Sequence, residues 1–115
     1  MKGGFSMTDR IYSFEEICDA VIPILKKYGV SQAWLFGSYA RNEAESDSDV
    51  DILLKGFSGK DLIDFGCLYN DITTDLGKEV DLVNAEDLQR SISDPLTQRF
   101  IRRIKKDRVL IYEKN

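Results

Sequence analysis

Residues 36–54 read F-G-S-Y-A-R-N-E-A-E-S-D-S-D-V-D-I-L-L, and this stretch divides into three parts. Phe36 ends a short apolar run from Ala33 that reads as a buried strand. Gly37 and Ser38 open a turn, residues 39–41 begin a short helix, and the polar residues 43–48 form a loop. Residues 49–54 read as a second strand. Its period of two puts Asp49, Asp51 and Leu53 on one face and Val50, Ile52 and Leu54 on the other. Two strands so close in sequence pair antiparallel across their loop.

Upstream of this unit, S-F-E-E at residues 13–16 has capping-box spacing. Ile17, Val21, Ile24, Leu25 and Tyr28 follow at helical spacing, with Gly29 as the stop. Pro23 lies inside the pattern and predicts a kink or an early break. Downstream, residues 56–59 read as a turn, with Ser58 as cap for a helix over 60–76 that Gly77 ends. Leu62, Phe65, Tyr69 and Ile72 carry its helical spacing. Residues 79–83 form a third strand. A helix over 96–106 turns Leu96, Phe100, Ile101 and Ile104 inward, and 109–112 make a last short strand. The expected fold is α/β, a small mixed β-sheet flanked by helices. Residues 1–11 are read as a flexible N-terminal arm and 12–115 as the domain.

Composition narrows the chemistry. The chain has 115 residues, 43% apolar and 31% charged, which suits one globular domain. A net charge of -4 supplies no general attraction to nucleic acid or to an anionic membrane, so no direct nucleic-acid contact is expected. No apolar run approaches the roughly 20 residues of a membrane span. Cys18 and Cys67 sit in apolar helical patterns and read as buried thiols of a cytoplasmic protein. The chain has no histidine, so acid–base and metal chemistry falls to carboxylates, hydroxyls, Lys, Arg, Tyr and Cys. With oxygen donors in such supply, magnesium is the natural metal.

The candidate site follows from that. Asp49 and Asp51 stand two apart on a strand, with α-carbons roughly 6.5 Å apart and side chains pointing the same way. Facing a cleft beside the third strand, they would meet Asp81. Three converging carboxylates are electrostatically costly, and two divalent cations about 3.5–4 Å apart would offset the cost. The Gly37-Ser38 turn aims backbone N–H groups at an anion, and Arg41 adds charge toward the same phosphates. Such a constellation equips a protein for attack on a nucleoside triphosphate. Asp49, Asp51 and Asp81 hold metal and serve catalysis, Asp81 taking the proton of the attacking hydroxyl. Gly37, Ser38 and Arg41 hold the nucleotide.

At F-G-S-Y-A-R (36–41), S-D-V-D-I-L-L (48–54) and E-V-D-L-V (79–83), the sequence resembles the DNA polymerase β-type nucleotidyltransferase superfamily. Its smallest members, the MNT-domain antitoxins, are the nearest in pattern, and the resemblance spans about residues 12–113. It implies a polymerase β palm-like fold, with the phosphate turn on Gly37 and Ser38 and the three metal carboxylates on Asp49, Asp51 and Asp81. Asn42 departs from the family, which often has glycine after the Arg. The resemblance also implies two magnesium ions, ATP as substrate, and a HEPN-domain RNase toxin as hetero-oligomeric partner that receives AMP on a tyrosine. Larger relatives carry an acceptor-binding domain, so the acceptor is expected from a partner here. Two other readings stand beside this one. One is a nucleotidyltransferase acting on a small hydroxylated molecule such as an aminoglycoside. The other is a non-catalytic module that neutralises its partner by covering it. The basic segment 99–108 reads as a solvated face, or more sharply as a contact to an acidic partner or to nucleotide phosphates.

Overall fold

A computed structural model describes residues 7–57 and 62–114. Its elements run α1 (Phe14–Lys27), β1 (Gln32–Phe36), α2 (Gly37–Ala40), β2 (Val50–Lys55), α3 (Leu62–Leu76), β3 (Val80–Asn84), α4 (Ala85–Arg90), α5 (Pro95–Asp107) and β4 (Val109–Glu113). The four strands make one mixed sheet in the order β3-β2-β1-β4. β1 and β2 pair antiparallel, as their short connection requires. β3 returns through α3 to lie parallel to β2, and β4 pairs antiparallel with β1 at the far edge. The expected mixed sheet flanked by helices is the architecture found.

One face of the sheet is closed. Ala33, Leu35, Val50, Ile52, Leu54 and Val80 pack with Ile17, Val21 and Leu25 of α1 and with Leu68, Ile72 and Leu76 of α3. α1 begins with both bonds of the capping box, Glu16 N–H to Ser13 Oγ at 3.1 Å and Ser13 N–H to Glu16 Oε1 at 2.9 Å. It then runs through Pro23 without an early break. Pro23 lies on the exposed flank, where the bond its missing N–H would have made to Asp19 is left to water. Gly29 and Gly77, both at positive φ, end α1 and α3 as their positions suggest. The Tyr12 hydroxyl donates to the Leu76 carbonyl at 2.5 Å, and the Tyr28 hydroxyl to Asp71 at 2.7 Å, so each ties α1 or its lead-in to α3.

Several expectations need correction. The inward stripe of α3 is Phe65, Leu68, Ile72 and Leu76, while Leu62 is 86% exposed and Tyr69 borders solvent. Both stripes fit helical spacing, and only the angle at which the helix meets the sheet selects one. Cys67 lies on the outer side of α3 and is exposed, and Cys18 is only half-buried. Leu96 is 69% exposed because α5 starts beyond the edge of its contact with the sheet. α4 was not anticipated. It is a six-residue helix capped by Asn84, whose side chain accepts from Glu86 N–H at 3.1 Å. The proposed Ser58 cap and the start of the α3 helix at residue 60 lie outside the described residues.

Candidate active site

The second face of the sheet carries Trp34, Phe36, Asp51, Leu53 and Val83, and it is roofed only in part, by α4 and α5. Phe36, Leu53 and Ile104 form its small core, with Phe100 of α5 edge-on to Phe36 at 6.0 Å between ring centroids. Where that roof stops, a cleft of about 390 Å³ opens. All six residues expected from the sequence line it: Gly37, Ser38, Arg41, Asp49, Asp51 and Asp81.

Register explains the convergence. Asp51 is the pairing partner of Phe36 on β1 and of Asp81 on β3, so one transverse line across three strands joins the phosphate turn to two carboxylates. Pairing partners point to the same face. Asp49, just before β2, follows the period of two onto that face. Gly37 sits at φ +74, and a Cβ there would lie 2.1 Å from Asp51 Oδ2. The turn therefore needs glycine twice over, for its backbone conformation and for the approach of the carboxylate. Asn42 also adopts the left-handed conformation, at φ 61. Asparagine tolerates that region better than most side chains, so the departure from the family's glycine keeps the loop shape.

Electrostatics mark Asp51 as the strained member. Burial raises its pKa first, then the neighbouring charges of Asp81 and Asp49, to about 6, against a smaller lowering by Arg41. Among the described residues, no three Asp, Glu, Cys or His side chains stand close enough, as placed, to hold a metal ion together. The donor set nonetheless fits a hard cation: oxygen ligands only, mutually repelling, with one carboxylate driven toward its neutral form by burial and by its acidic neighbours.

Arg41 lines the cleft, but its guanidinium is engaged, Nε with Glu43 at 3.0 Å and Nη1 with Asp107 at 2.7 Å. That second bond fastens α5 to α2. Reading the sequence alone did not assign Ser48, Phe100, Arg103 or Asp107 to the site, although all four line the cleft. Arg103 lay within the basic segment that drew notice; Asp107 carried no signal. Lys78 was missed as well. It is 2% exposed, and its Nζ donates to the carbonyls of Ser46 at 2.9 Å and Thr8 at 3.2 Å. It thereby fixes the loop that delivers Asp49. Tyr39, next to the phosphate turn, belongs to the core on the closed face.

A larger groove, about 530 Å³, lies farther along the same face between Trp34, Leu53, Leu88 and Ile101. It contains none of the three aspartates, so the candidate site is the smaller cleft.

Residues 19–115 match the family model described as Polymerase beta, Nucleotidyltransferase. The chain is 43% identical to a Methanocaldococcus jannaschii protein that bears a provisional protein adenylyltransferase name, over 71% of this chain and 88% of that one. It is 36% identical to the protein adenylyltransferase MntA of Thermococcus cleftensis, over 66% of this chain and 77% of that one. Its fold is similar to a chain in the solved structure of a tri-AMPylated Shewanella oneidensis HEPN toxin in complex with MNT antitoxin. That match has a TM-score of 0.59 and 22% identity, and covers 88% of this chain and 73% of that chain. With a family model spanning most of its length and its strands carrying the family's three motifs, the chain belongs to the polymerase beta nucleotidyltransferase family.

Proposed function

We propose that this protein is a protein adenylyltransferase that moves AMP from ATP to a tyrosine hydroxyl of a cognate HEPN-domain toxin and so acts as its antitoxin. The observation that carries the reading is the contact between the Gly37 turn and Asp51, in one cleft with Asp49 and Asp81. A phosphate cradle and a carboxylate platform that touch have a common substrate in a nucleoside triphosphate. The relatives named as protein adenylyltransferases support AMP as the group transferred. The solved AMPylated toxin complex, similar in fold, motivates the choice of acceptor tested below.

In this reading, backbone N–H groups at Gly37 and Ser38 orient the phosphates. Asp49, Asp51 and Asp81 would hold magnesium, two ions in the full site, which when bound neutralises the carboxylates and the charge gathering on the α-phosphate. The tyrosine oxygen forms a bond to the α-phosphorus while the bond from that phosphorus to the bridging oxygen breaks. Pyrophosphate leaves with the electron pair, and the Asp81 carboxylate takes the phenolic proton. Among the described residues no helix is long and apolar enough to cross a membrane, and a cytoplasmic setting suits a toxin acting on RNA.

The test incubates the protein with ATP, magnesium and a candidate HEPN-domain toxin from the same genome, and reads AMP on the toxin by mass spectrometry. AMP on a toxin tyrosine is expected, with the rate falling about a thousandfold or more in Asp49→Ala and Asp51→Ala. Toxin neutralised without any AMP gained would favour the binding-module reading, and transfer to an aminoglycoside but not to the toxin would favour the small-molecule one.

A further inference from the structure

Two cations line the cleft, and they are placed differently. Arg41 is held by Glu43 and Asp107. Arg103 has no ion-pair partner among the described residues. Its backbone is nevertheless well fixed. Ile104, the next residue, is buried on the sheet, and Phe100, one turn earlier, packs edge-on against Phe36. One turn later Asp107 bonds Arg41 at 2.7 Å, so α5 is tied directly to the segment that forms the phosphate turn. Three contacts on three successive turns hold this stretch of α5 over the cleft and leave one guanidinium there uncommitted.

Charge says what that guanidinium serves. The Arg41–Asp107 pair is internally neutral, which leaves Asp49, Asp51, Asp81 and Arg103 as the remaining charges of the cleft lining. Metal would answer the carboxylates. A nucleoside triphosphate brings a further row of phosphate oxygens, most of them beyond the α-phosphate, and a planar guanidinium matches such oxygens two at a time. We propose that Arg103 binds the β- and γ-phosphates of the nucleotide and holds the pyrophosphate as it departs. Arg41 meanwhile acts as a strut that positions α5. This rests on the nucleotide-transfer reading above and names the residue that selects a triphosphate over a monophosphate at that site.

Calorimetric titration of the full chain, in magnesium, with a β,γ-imido analogue of ATP and separately with AMP tests it. Arg103→Ala should weaken the analogue about tenfold or more and AMP less than twofold, since AMP lacks the phosphates concerned. Arg103→Lys should restore part of the loss. Arg102→Ala, exposed and outside the cleft lining, should change neither. Arg103→Gln, nearly as long and uncharged, repeats the measurement should the alanine variant fold poorly, and thermal melts of every variant confirm folding. Analogue affinity within twofold of wild type, or equal weakening of analogue and AMP, overturns the assignment while leaving nucleotide binding intact. A wild-type chain that binds neither ligand overturns both the assignment and the reading beneath it.

Discussion

On one face of the sheet Leu35, Val50, Ile52 and Leu54 are wholly buried beneath α1 and α3, while on the other Asp51 shares its strand with Leu53 under a roof that covers only part of the surface. Residues 50–54 of β2 supply both faces, alternating between them. The closed face is apolar and continuous, and it supplies most of the burial that stabilises the fold. The half-open face has three buried residues at its core and then gives way to like charges. A small domain with one sheet can hold strained chemistry on one side because the other side is packed without compromise.

The largest effect expected in breaking this contrast is on the closed face. Ile52→Ala deletes a side chain with no exposed area and should lower stability by about 3–4 kcal/mol in urea denaturation. Asp51→Asn, next to it but on the open face, should fold at least as well as wild type above pH 7 while losing transfer activity. Equal destabilisation by the two changes would mean that the faces are not energetically distinct.

Next in size is Gly37→Ala. The added Cβ meets Asp51 Oδ2 at 2.1 Å and forces a left-handed conformation on alanine. The strain should cost about 1–2 kcal/mol. Because either the turn or Asp51 must move, transfer should fall further than stability does. A variant with lost stability and intact activity would separate the turn from the carboxylate.

The smallest effect is in pH. In the folded chain, Asp51 keeps its proton up to about pH 6, whereas an ordinary aspartate releases it near 3.8. The native state therefore binds more protons than the unfolded one in that window. This contribution to stability is complete at low pH and is lost as pH rises from about 4 through 6. Melts of the metal-free protein should show the midpoint drifting down across that window against an Asp51→Asn baseline, by roughly a few degrees at most. Magnesium should restore the wild type at pH 7.5 and leave Asp51→Asn nearly unmoved. A wild type whose pH profile parallels that of Asp51→Asn would remove Asp51 as the strained group.

Much of this was legible from residue order. The capping box at Ser13, the glycine stops at 29 and 77, and the two strands around the 36–54 unit all depend on neighbours a few residues away. So does the pairing of Asp49 with Asp51, since a strand's period of two needs no partner to put them on one face. α3 shows where that legibility ends: two stripes satisfied the same spacing, and Leu62 and Tyr69 lost to Leu68 and Leu76 because α1 and the sheet meet the helix from that side.

The sequence alone therefore determined the strands, the turn and which residue types could carry the chemistry, because these follow from local spacing and steric rules. Tertiary structure decided the rest. It set β3 parallel beside β2, bringing Asp81 level with Asp51. It laid α5 across the cleft so that Arg103 faces the site and Asp107 engages Arg41. It buried Lys78 beneath a loop more than thirty residues earlier in the chain. Each of these joins residues distant in sequence, and such contacts form only when burial of apolar surface on both faces of the sheet selects one packing among the many that local preferences allow.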